Sequence, residues 1–245
     1  MLGISLVSDG GRYIYKDLQA ATYNGQAVNL SLWLRNNVGL ESNGSKWADS
    51  SGNNNHAQQT SDGNRAAVSG GGLDFTPGNS DHYDLDNAIT IAENQGFCLA
   101  VVIDQETISN NTILSKDADD QFQIVNNGRF RFRANDDTDT ITNFDVDGTP
   151  FDGNKMILLL NRSAGASNTF RLFKNGTQLT PNTDTSTNEA GGENPYGFDI
   201  NVVGANAGGS QYFDGKILEL AFWSRSLTLQ EIVDVNNYLK QIHEL

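Results

Sequence analysis

Paired carboxylates are the first chemistry to look for in this sequence, because two carboxyls about 5 Å apart on one strand face hydrolyse glycosidic bonds with retention. An E-x-D-x-x-E run would place two such carboxyls on one face of a strand, and none occurs in the 245 residues. Glu219 stands alone between Leu218 and Leu220, and we interpret it as a paired or solvated residue at a sheet edge. The clusters Asp117–Asp120 and Asp136–Asp139 are interpreted as solvated turns. The sequence therefore predicts no catalytic residues and a protein that is not an enzyme.

Oxygen-rich loops are the next candidates, because Ca²⁺ needs several converging oxygen ligands. Asp49 with Asn53, or Asp81 with a backbone carbonyl, could contribute such ligands. No stretch matches the calcium-loop pattern D-x-[DN]-x-[DN]-G. We therefore favour a structural role for Asp49 and Asn53, in which their side chains tie the turn to the backbone. We predict no metal-ligating residues and no cofactor, and a bound Ca²⁺ ion is the open alternative.

The histidines do not indicate a specific reaction or metal site. His56, His82 and His243 lack a metal-ligand spacing such as H-E-x-x-H. A Ser-His-Asp triad stays open on sequence alone, although no G-x-S-x-G turn is present.

Four aromatic residues are considered as sugar-binding candidates, because aromatic rings can stack on sugars. Trp47, Trp223 and Tyr212 are the candidates for such stacking, whereas Trp33 lies in an apolar strand and is expected in the core. Core packing is the commoner role of residues of this kind, and we favour it here.

The composition of the chain argues against several classes of partner and location. The chain has 30 acidic and 16 basic residues and a net charge of −14, which repels phosphate backbones, so no nucleic-acid partner is expected. The single cysteine, Cys98, allows no internal disulfide and is expected to be buried. Met1–Val7 lacks the basic start and cleavage site of a signal peptide, and no apolar run reaches membrane-spanning length. Neither a membrane nor a signal-directed secretory route is expected.

Among the predicted elements, Tyr212–Leu245 is the stretch around which the fold is expected to be organised. Its strand is apolar on both faces, which is typical of a strand covered on both sides. Strict alternation assigns one face to Leu218, Leu220 and Phe222 and the other to Ile217, Ala221 and Trp223.

A helix is predicted directly after this strand. Thr228 and Glu231 have the spacing of a capping box, and Leu227 can form a hydrophobic staple with Ile232. Apolar residues then recur at helical spacing, at Ile232, Val235, Leu239 and Ile242. This helix can cover an edge or a face of the sheet.

Most of the remaining chain has the pattern of short strands separated by turns. Gly96–Ile103 and Lys155–Arg162 are interpreted as buried strands, and Asp81–Asp86 and Ala88–Ala92 as two short ones. Asn127-Gly128 and Asn175-Gly176 are strong hairpin signals. We predict an all-β protein, an antiparallel β-sandwich or jelly roll with a short C-terminal α-helix. Residues 1–27 form an N-terminal arm, or alternatively a first strand, and residues 28–245 form one domain.

Several motifs within this pattern resemble a known family. They are Trp47–Ala57 with its D-x-S-G-N-x-N-H-A run, Gly71–Phe75, Asp81–Leu85, the Phe170–Gly176 hairpin, and Phe213–Thr228 with its W-x-R-x-L-T ending. Together, in this order, they resemble concanavalin A-like, laminin-G-type jelly rolls over roughly residues 28–245. The resemblance implies a concanavalin A-like fold, whose enzymes use the paired carboxylates missing here and whose lectin relatives often bind Ca²⁺.

The resemblance also carries a functional expectation. Short single-domain members of this kind resemble structural proteins of tailed bacteriophages, especially marine ones. The leading hypothesis is therefore a non-enzymatic virion protein, made in the host cytoplasm, that decorates the capsid. The alternative is a carbohydrate-binding, lectin-like adhesin of a tail or fibre that contacts surface glycans. A polysaccharide hydrolase is the weakest alternative.

Under the leading hypothesis, the partners are other virion proteins, either major capsid or tail proteins, together with further copies of this chain. The N-terminal arm would dock onto them through apolar anchors, namely Leu2, Ile4, Leu6, Tyr13 and Tyr15.

Overall fold

The computed structural model describes residues 7–9, 12–14, 30–107, 111–117, 120–125, 129–135, 141–146, 154–165, 169–180, 196–206 and 210–245. Several predicted features lie outside these residues. They are the acidic turn Asp136–Asp139, the turn Asn127-Gly128 and the anchors Leu2, Ile4, Leu6 and Tyr15.

Eighteen short strands and one α-helix make up the regular structure of the described residues. The strands are β1 (Val7–Asp9), β2 (Arg12–Ile14), β3 (Leu30–Leu34), β4 (Lys46–Trp47), β5 (Ala57–Gln58), β6 (Ala67–Ser69), β7 (Gly72–Phe75), β8 (Tyr83–Ile91), β9 (Phe97–Gln105), β10 (Asn111–Ser115), β11 (Gln121–Val125), β12 (Arg129–Asn135), β13 (Ile141–Val146), β14 (Met156–Arg162), β15 (Phe170–Lys174), β16 (Thr177–Gln178), β17 (Phe198–Val203) and β18 (Gly215–Trp223). The helix is α1 (Leu229–His243), and two 3₁₀ turns span Asp62–Asn64 and Pro77–Asn79.

Two large antiparallel sheets form the sandwich. Sheet 1 has the order β16-β15-β14-β9-β18-β7-β6, and β3 pairs with β18 beside β7. Sheet 2 has the order β13-β12-β11-β10-β17-β8-β5-β4. Every pairing within both sheets is antiparallel. The predicted antiparallel sandwich with a C-terminal helix is confirmed.

Apolar side chains from the two sheets meet in the main core. Its centre is a group of phenylalanine rings with centroids 4.8–6.5 Å apart, contributed by both sheets: Phe97, Phe122, Phe132, Phe170, Phe198 and Phe222. A second apolar cluster lies on the other face of sheet 1, beneath α1, and includes the buried Cys98. Sheet 1 is therefore covered on both faces, which explains why β9 and β14 are almost uniformly apolar.

The predicted assignment of the β18 faces is wrong at the start of the strand. Ile217 pairs with Ile103 and Glu219 with Val102, so Leu218 is the extra residue of a β-bulge. The bulge reverses the alternation. Ile217 consequently joins the core between the sheets, and Leu218 turns toward the α1 side.

Helix α1 begins where the sequence predicts. The Thr228 side chain accepts a hydrogen bond from the Glu231 backbone N–H, and the Glu231 side chain accepts one from the Thr228 backbone, so the capping box is complete. Leu227 and Ile232 are both buried in the cluster under the helix. The end differs from the prediction, because Ile242 is 40% exposed and His243 takes the buried position.

Two local predictions have different outcomes. The Asn175-Gly176 turn is confirmed, with φ of +49° and +84°, values that asparagine and glycine adopt most readily. Asp81–Asp86 and Ala88–Ala92 do not form two strands, because β8 runs continuously from Tyr83 to Ile91. One edge of β8 pairs with β17 at both ends of the strand, with a register shift between them, and the other edge pairs with β5 at Asp84 and Leu85.

The N-terminal hairpin, β1 and β2, forms a two-stranded sheet of its own. Among the described strands, neither of its members pairs with sheet 1 or sheet 2. No helix in the described part of the chain combines the length and the apolar character that crossing a membrane would require.

Candidate functional site

An open cleft lies on the α1 side of sheet 1, where β18 exchanges one neighbouring strand for another. The first half of β18 pairs with β7 and the second half with β3, and the Leu218 bulge marks the change. The side chain of Asn36, just after β3, donates hydrogen bonds to the carbonyls of Leu218 (3.1 Å) and Gly70 (3.0 Å). Asn36 therefore closes the gap between the two neighbouring strands and forms one wall of the cleft.

The turn between β6 and β7 continues this wall. The Asn37 backbone N–H donates to the Gly71 carbonyl at 2.8 Å, and the Asn37 side chain donates to the Asn36 side-chain oxygen at 2.7 Å. A Cβ atom on Gly71 would lie 2.6 Å from the Asn37 side-chain nitrogen. Glycine at this position therefore allows both asparagine amides to reach the turn.

Charged side chains of alternating sign form a row across sheet 1 at the floor of the cleft. Lys216 of β18 is paired in register with Asp74 of β7 on one side and with Asp104 of β9 on the other. The Lys216 Nζ lies 3.9 Å from a carboxylate oxygen of each. Lys155, which precedes β14, continues the row. The alternation follows from the antiparallel register, which places these four positions side by side on one face.

The C-terminal end of α1 forms the opposite wall. The Lys155 Nζ donates to the backbone carbonyl of His243 at 2.6 Å. The His243 ring reaches beneath the cleft, where its Nε2 lies 2.9 Å from Glu219 Oε2. The other Glu219 oxygen accepts a hydrogen bond from Trp33 Nε1 at 2.8 Å. This buried network fixes the end of the helix over sheet 1.

The cleft encloses about 430 Å³ and is open to solvent, a volume within the range of small-molecule sites. Its polar lining combines amides, ammonium groups and carboxylates, contributed by Asn36, Asn37, Asp104, Glu244, Lys155 and Lys216. Leu218 and Ile242 add apolar surface. Such a mixture of hydrogen-bond donors and acceptors suits a polar ligand that carries both.

The structure corrects the interpretation of Glu219. It is paired, but it does not lie at a sheet edge, because β18 is an interior strand and Glu219 is only 1% exposed. Its carboxylate is occupied by Trp33 and His243. The sequence offered no signal for this network, because its members come from three separate elements.

The predicted structural role of Asp49 and Asn53 is confirmed. The Asp49 carboxylate accepts hydrogen bonds from the backbone N–H groups of Trp33, Ser51 and Asn55 at 2.8–3.0 Å, and from the Ser51 hydroxyl at 2.7 Å. The Asn53 side chain donates to the Leu30 carbonyl at 2.7 Å. Donors thus surround the Asp49 carboxylate at the positions that a cation would need.

Asp81, the other predicted calcium ligand, is buried at the start of β8. One carboxylate oxygen accepts from the Thr76 backbone N–H at 2.8 Å, and the other has no hydrogen-bond partner among the described residues. Burial raises the pKa of Asp81, and this effect outweighs the opposing hydrogen bond from Thr76. Among the described residues, no cluster of three His, Cys, Asp or Glu side chains could hold a metal ion.

The histidines and the candidate sugar-stacking residues are dispersed. His56 accepts a hydrogen bond from the Asp49 backbone N–H, whereas His243 contacts Glu219. These two histidines therefore lie in different parts of the fold. Trp47 and Trp223 are fully buried in different apolar clusters, as core packing predicts. Tyr212 is partly exposed, and its ring centroid lies 6.3 Å from that of His82.

The cleft residues were missed by sequence reasoning. The available signals were weak: Lys216 is a cation at the start of an apolar strand, and Asp104 follows the apolar run of β9. Only the pairing of β18 with β9 brings the two together.

Two packed antiparallel sheets with a terminal helix define a lectin-type jelly roll. The chain belongs to the concanavalin A-like lectin/glucanases superfamily, whose family model matches residues 77–233. No curated protein matches the sequence significantly.

Solved structures of low sequence identity share the fold. The binding domain of Paraclostridial mosquitocidal protein 1 matches with a TM-score of 0.61 at 16% identity, over 86% of this chain and 52% of that chain. Trypanosoma rangeli sialidase matches with a TM-score of 0.56 at 15% identity, over 96% and 35%. Domain 4 of a GH43 extracellular arabinanase from Geobacillus stearothermophilus, solved with arabinotriose, matches with a TM-score of 0.51 at 15% identity, over 85% and 98%. The chain spans about half the length of the first of these chains and about a third of the second.

Proposed function

We propose that this protein is a non-catalytic, lectin-like domain that binds a carbohydrate in the cleft between α1 and sheet 1. The observation that carries the proposal is the convergence of amide, ammonium and carboxylate groups from separate elements on one open cleft of about 430 Å³. Sugar hydroxyls both donate and accept hydrogen bonds, so they can pair with each of these groups.

The similar structures support this class of ligand. Domain 4 of the arabinanase was solved in complex with arabinotriose, and the match in the mosquitocidal protein is its binding domain. Both share the fold with this chain at 15–16% identity, which supports the architecture and leaves the ligand to be tested.

A non-catalytic role agrees with the position of the most buried carboxylate near the cleft. Glu219 lies beneath the floor, hydrogen-bonded to Trp33 and His243, and does not line the cleft. Asp104 lines the floor beside its register neighbour Lys216, and Glu244, directly after α1, is the other carboxylate residue of the lining.

A glycan array followed by calorimetry tests the proposal, using a variant that fills the cleft. Ile242 lines the cleft and is 40% exposed, so Ile242→Trp should block it sterically without changing any charge. We expect wild-type protein to bind one class of glycan and Ile242→Trp to lose that binding.

Val233→Trp is the matched control, because Val233 lies on the same helix, is 50% exposed and does not line the cleft. It should bind as wild type does. An array without any bound glycan would refute the carbohydrate-binding function. Equal binding by wild type and Ile242→Trp would move the site away from this cleft.

The second candidate is a virion protein, a decoration of a bacteriophage capsid, that assembles with other virion proteins and with copies of itself. The observation that favours it is the N-terminal hairpin, which pairs with neither large sheet among the described strands. A segment of this kind is suited to docking onto a neighbouring subunit. Removal of residues 1–27 should leave a folded domain, measured by its unfolding transition, that no longer joins the particle. Normal incorporation of the truncated chain would contradict this role.

A further inference from the structure

We infer that the cleft selects neutral sugars with adjacent hydroxyl groups over acidic sugars, and that Lys216 and Asp104 form the pair that recognises them. This inference rests on the proposed carbohydrate-binding function. It concerns which glycans bind, and it follows from the geometry and charge of the cleft floor.

Lys216 and Asp104 are close together but are not hydrogen-bonded to each other. The Lys216 Nζ lies 3.9 Å from Asp104 Oδ2, which is beyond hydrogen-bonding distance. Within the described part of the chain, neither the Lys216 ammonium nor the Asp104 carboxylate makes a hydrogen bond. Both side chains are partly exposed, 26% for Lys216 and 38% for Asp104. A ligand can therefore reach a cationic donor and an anionic acceptor side by side.

Two adjacent sugar hydroxyls are chemically complementary to this pair of side chains. One hydroxyl of an adjacent pair can accept a hydrogen bond from the Lys216 ammonium while the neighbouring hydroxyl donates to the Asp104 carboxylate. A ligand with only acceptors, such as a carboxylate, would satisfy Lys216 and be repelled by Asp104. The alternating row thus favours a group that offers a donor and an acceptor together.

The charges that line the cleft are balanced. The ionisable side chains that line the cleft, apart from His243, are Asp104, Glu244, Lys155 and Lys216, two of each sign. Asp74 lies beside Lys216, on the side away from Asp104, with a carboxylate oxygen 3.9 Å from the Lys216 Nζ. The whole chain carries a net charge of −14. An acidic glycan would therefore gain little from the floor and would be repelled by the protein as a whole.

A paired glycan array tests the inference, using neutral oligosaccharides and the same cores capped with sialic acid or carrying a uronic acid. We expect binding to the neutral members and weaker binding to their acidic counterparts. Affinity for the best neutral glycan should change little when sodium chloride is raised, because no net charge is neutralised on binding.

Two substitutions then test the residue pair. Asp104→Asn keeps the shape of the side chain, and Lys216→Met keeps much of its length, so each removes one charged hydrogen-bonding partner. Each should lower the affinity for the neutral glycan by roughly 10- to 100-fold. Lys116→Met is the control, because Lys116 follows β10 in sheet 2, pairs with Asp199 and does not line the cleft. Unfolding curves verify that each variant is folded.

The outcomes separate this inference from the proposed function. Binding confined to acidic glycans, or unchanged affinity in a folded Asp104→Asn variant, would overturn the inference and leave carbohydrate binding intact. The absence of any glycan ligand would refute both. Loss of neutral-glycan binding in Asp104→Asn and Lys216→Met, with Lys116→Met unaffected, would establish the pair.

Discussion

At the scale of single residues, Glu231 shows how one carboxylate can serve two purposes. It caps α1 by accepting from the Thr228 backbone N–H at 2.8 Å, and it accepts two hydrogen bonds from the Arg225 guanidinium at 2.7 and 3.1 Å. Burial by itself would raise the pKa of Glu231, but the hydrogen bonds from Arg225 and Thr228 outweigh burial and lower it from 4.5. Ionised Glu231 therefore stabilises the folded state.

This lowered pKa predicts a pH dependence of stability. The contribution is present above the unfolded-state pKa and is lost as the pH falls through the lower folded-state pKa. Glu231→Gln should reduce the free energy of unfolding at pH 7 by about 1–2 kcal/mol. The difference from wild type should shrink as the pH falls below the folded-state pKa, measured by urea unfolding at pH 7 and at acidic pH.

Asp62→Asn is the control for this experiment, because Asp62 also pairs with an arginine, Arg65, but its side chain is 89% exposed. It should change stability by less than about 0.5 kcal/mol at either pH. A deficit of Glu231→Gln that stays constant down to low pH would contradict the assigned role of the charge.

At this scale the sequence was a good guide wherever partners are near neighbours in the chain. The capping box and the Asp49 turn could both be predicted, because a side chain and the backbone a few residues away form the contact. The Glu219 network could not be predicted, since Trp33, Glu219 and His243 lie on different elements. From the alternation of side chains along the strand, Glu219 could be interpreted only as a single acidic residue between two leucines.

At the scale of elements, the close approach of β7 to β18 depends on Gly72. A Cβ atom at this position would lie 2.2 Å from the Ile217 carbonyl oxygen and 2.7 Å from the Leu218 Cα. Both are backbone atoms at the bulge, so they cannot swing aside as a flexible side chain would. Gly72→Ala should therefore lower the free energy of unfolding by about 3 kcal/mol or more.

Gly63→Ala provides the comparison, because no atom lies within 4 Å of the Cβ it would add. Gly63 sits in a 3₁₀ turn, and its replacement should change the free energy of unfolding by less than about 1 kcal/mol. Thermal or urea unfolding of both variants measures the difference. Equal stability of the two variants would show that β7 can move away from β18 at little cost.

The sequence pattern predicted the buried strands but not the β-bulge in β18. Runs such as Phe97–Ile103 predicted a buried strand, because only a strand covered on both faces tolerates continuous apolar residues. The Leu218 bulge was missed, since an extra residue in a strand becomes visible only against its paired neighbour. The cleft forms at that bulge, so the candidate site was hidden from the sequence together with it.

At the scale of the whole molecule, the buried pair of Glu219 and His243 joins the end of α1 to the middle of sheet 1. Their side chains are 0% and 4% exposed, and their nearest atoms are 2.9 Å apart. Removal of one partner from a buried pair typically costs about 3–5 kcal/mol, because the other is left uncompensated. A double-mutant cycle with Glu219→Gln and His243→Gln should give a coupling energy above about 1 kcal/mol.

The pair of Lys116 and Asp199 is the comparison, with side chains 47% and 30% exposed and a distance of 3.1 Å. Solvent screening should keep its coupling energy below about 1 kcal/mol. Coupling of similar size in the two pairs would mean that burial does not strengthen the interaction of Glu219 with His243.

The position of β18 in sheet 1 has a consequence for biosynthesis. Residues 215–223 lie between β9 on one side and β3 and β7 on the other, although all three partners precede them in the chain. On a ribosome, these earlier strands emerge before β18 is synthesised, so the edges that pair with β18 stay unpaired and their apolar surfaces stay exposed. Sheet 1 can close only after translation has passed Trp223, which makes the nascent chain a client for chaperones that shield hydrophobic segments.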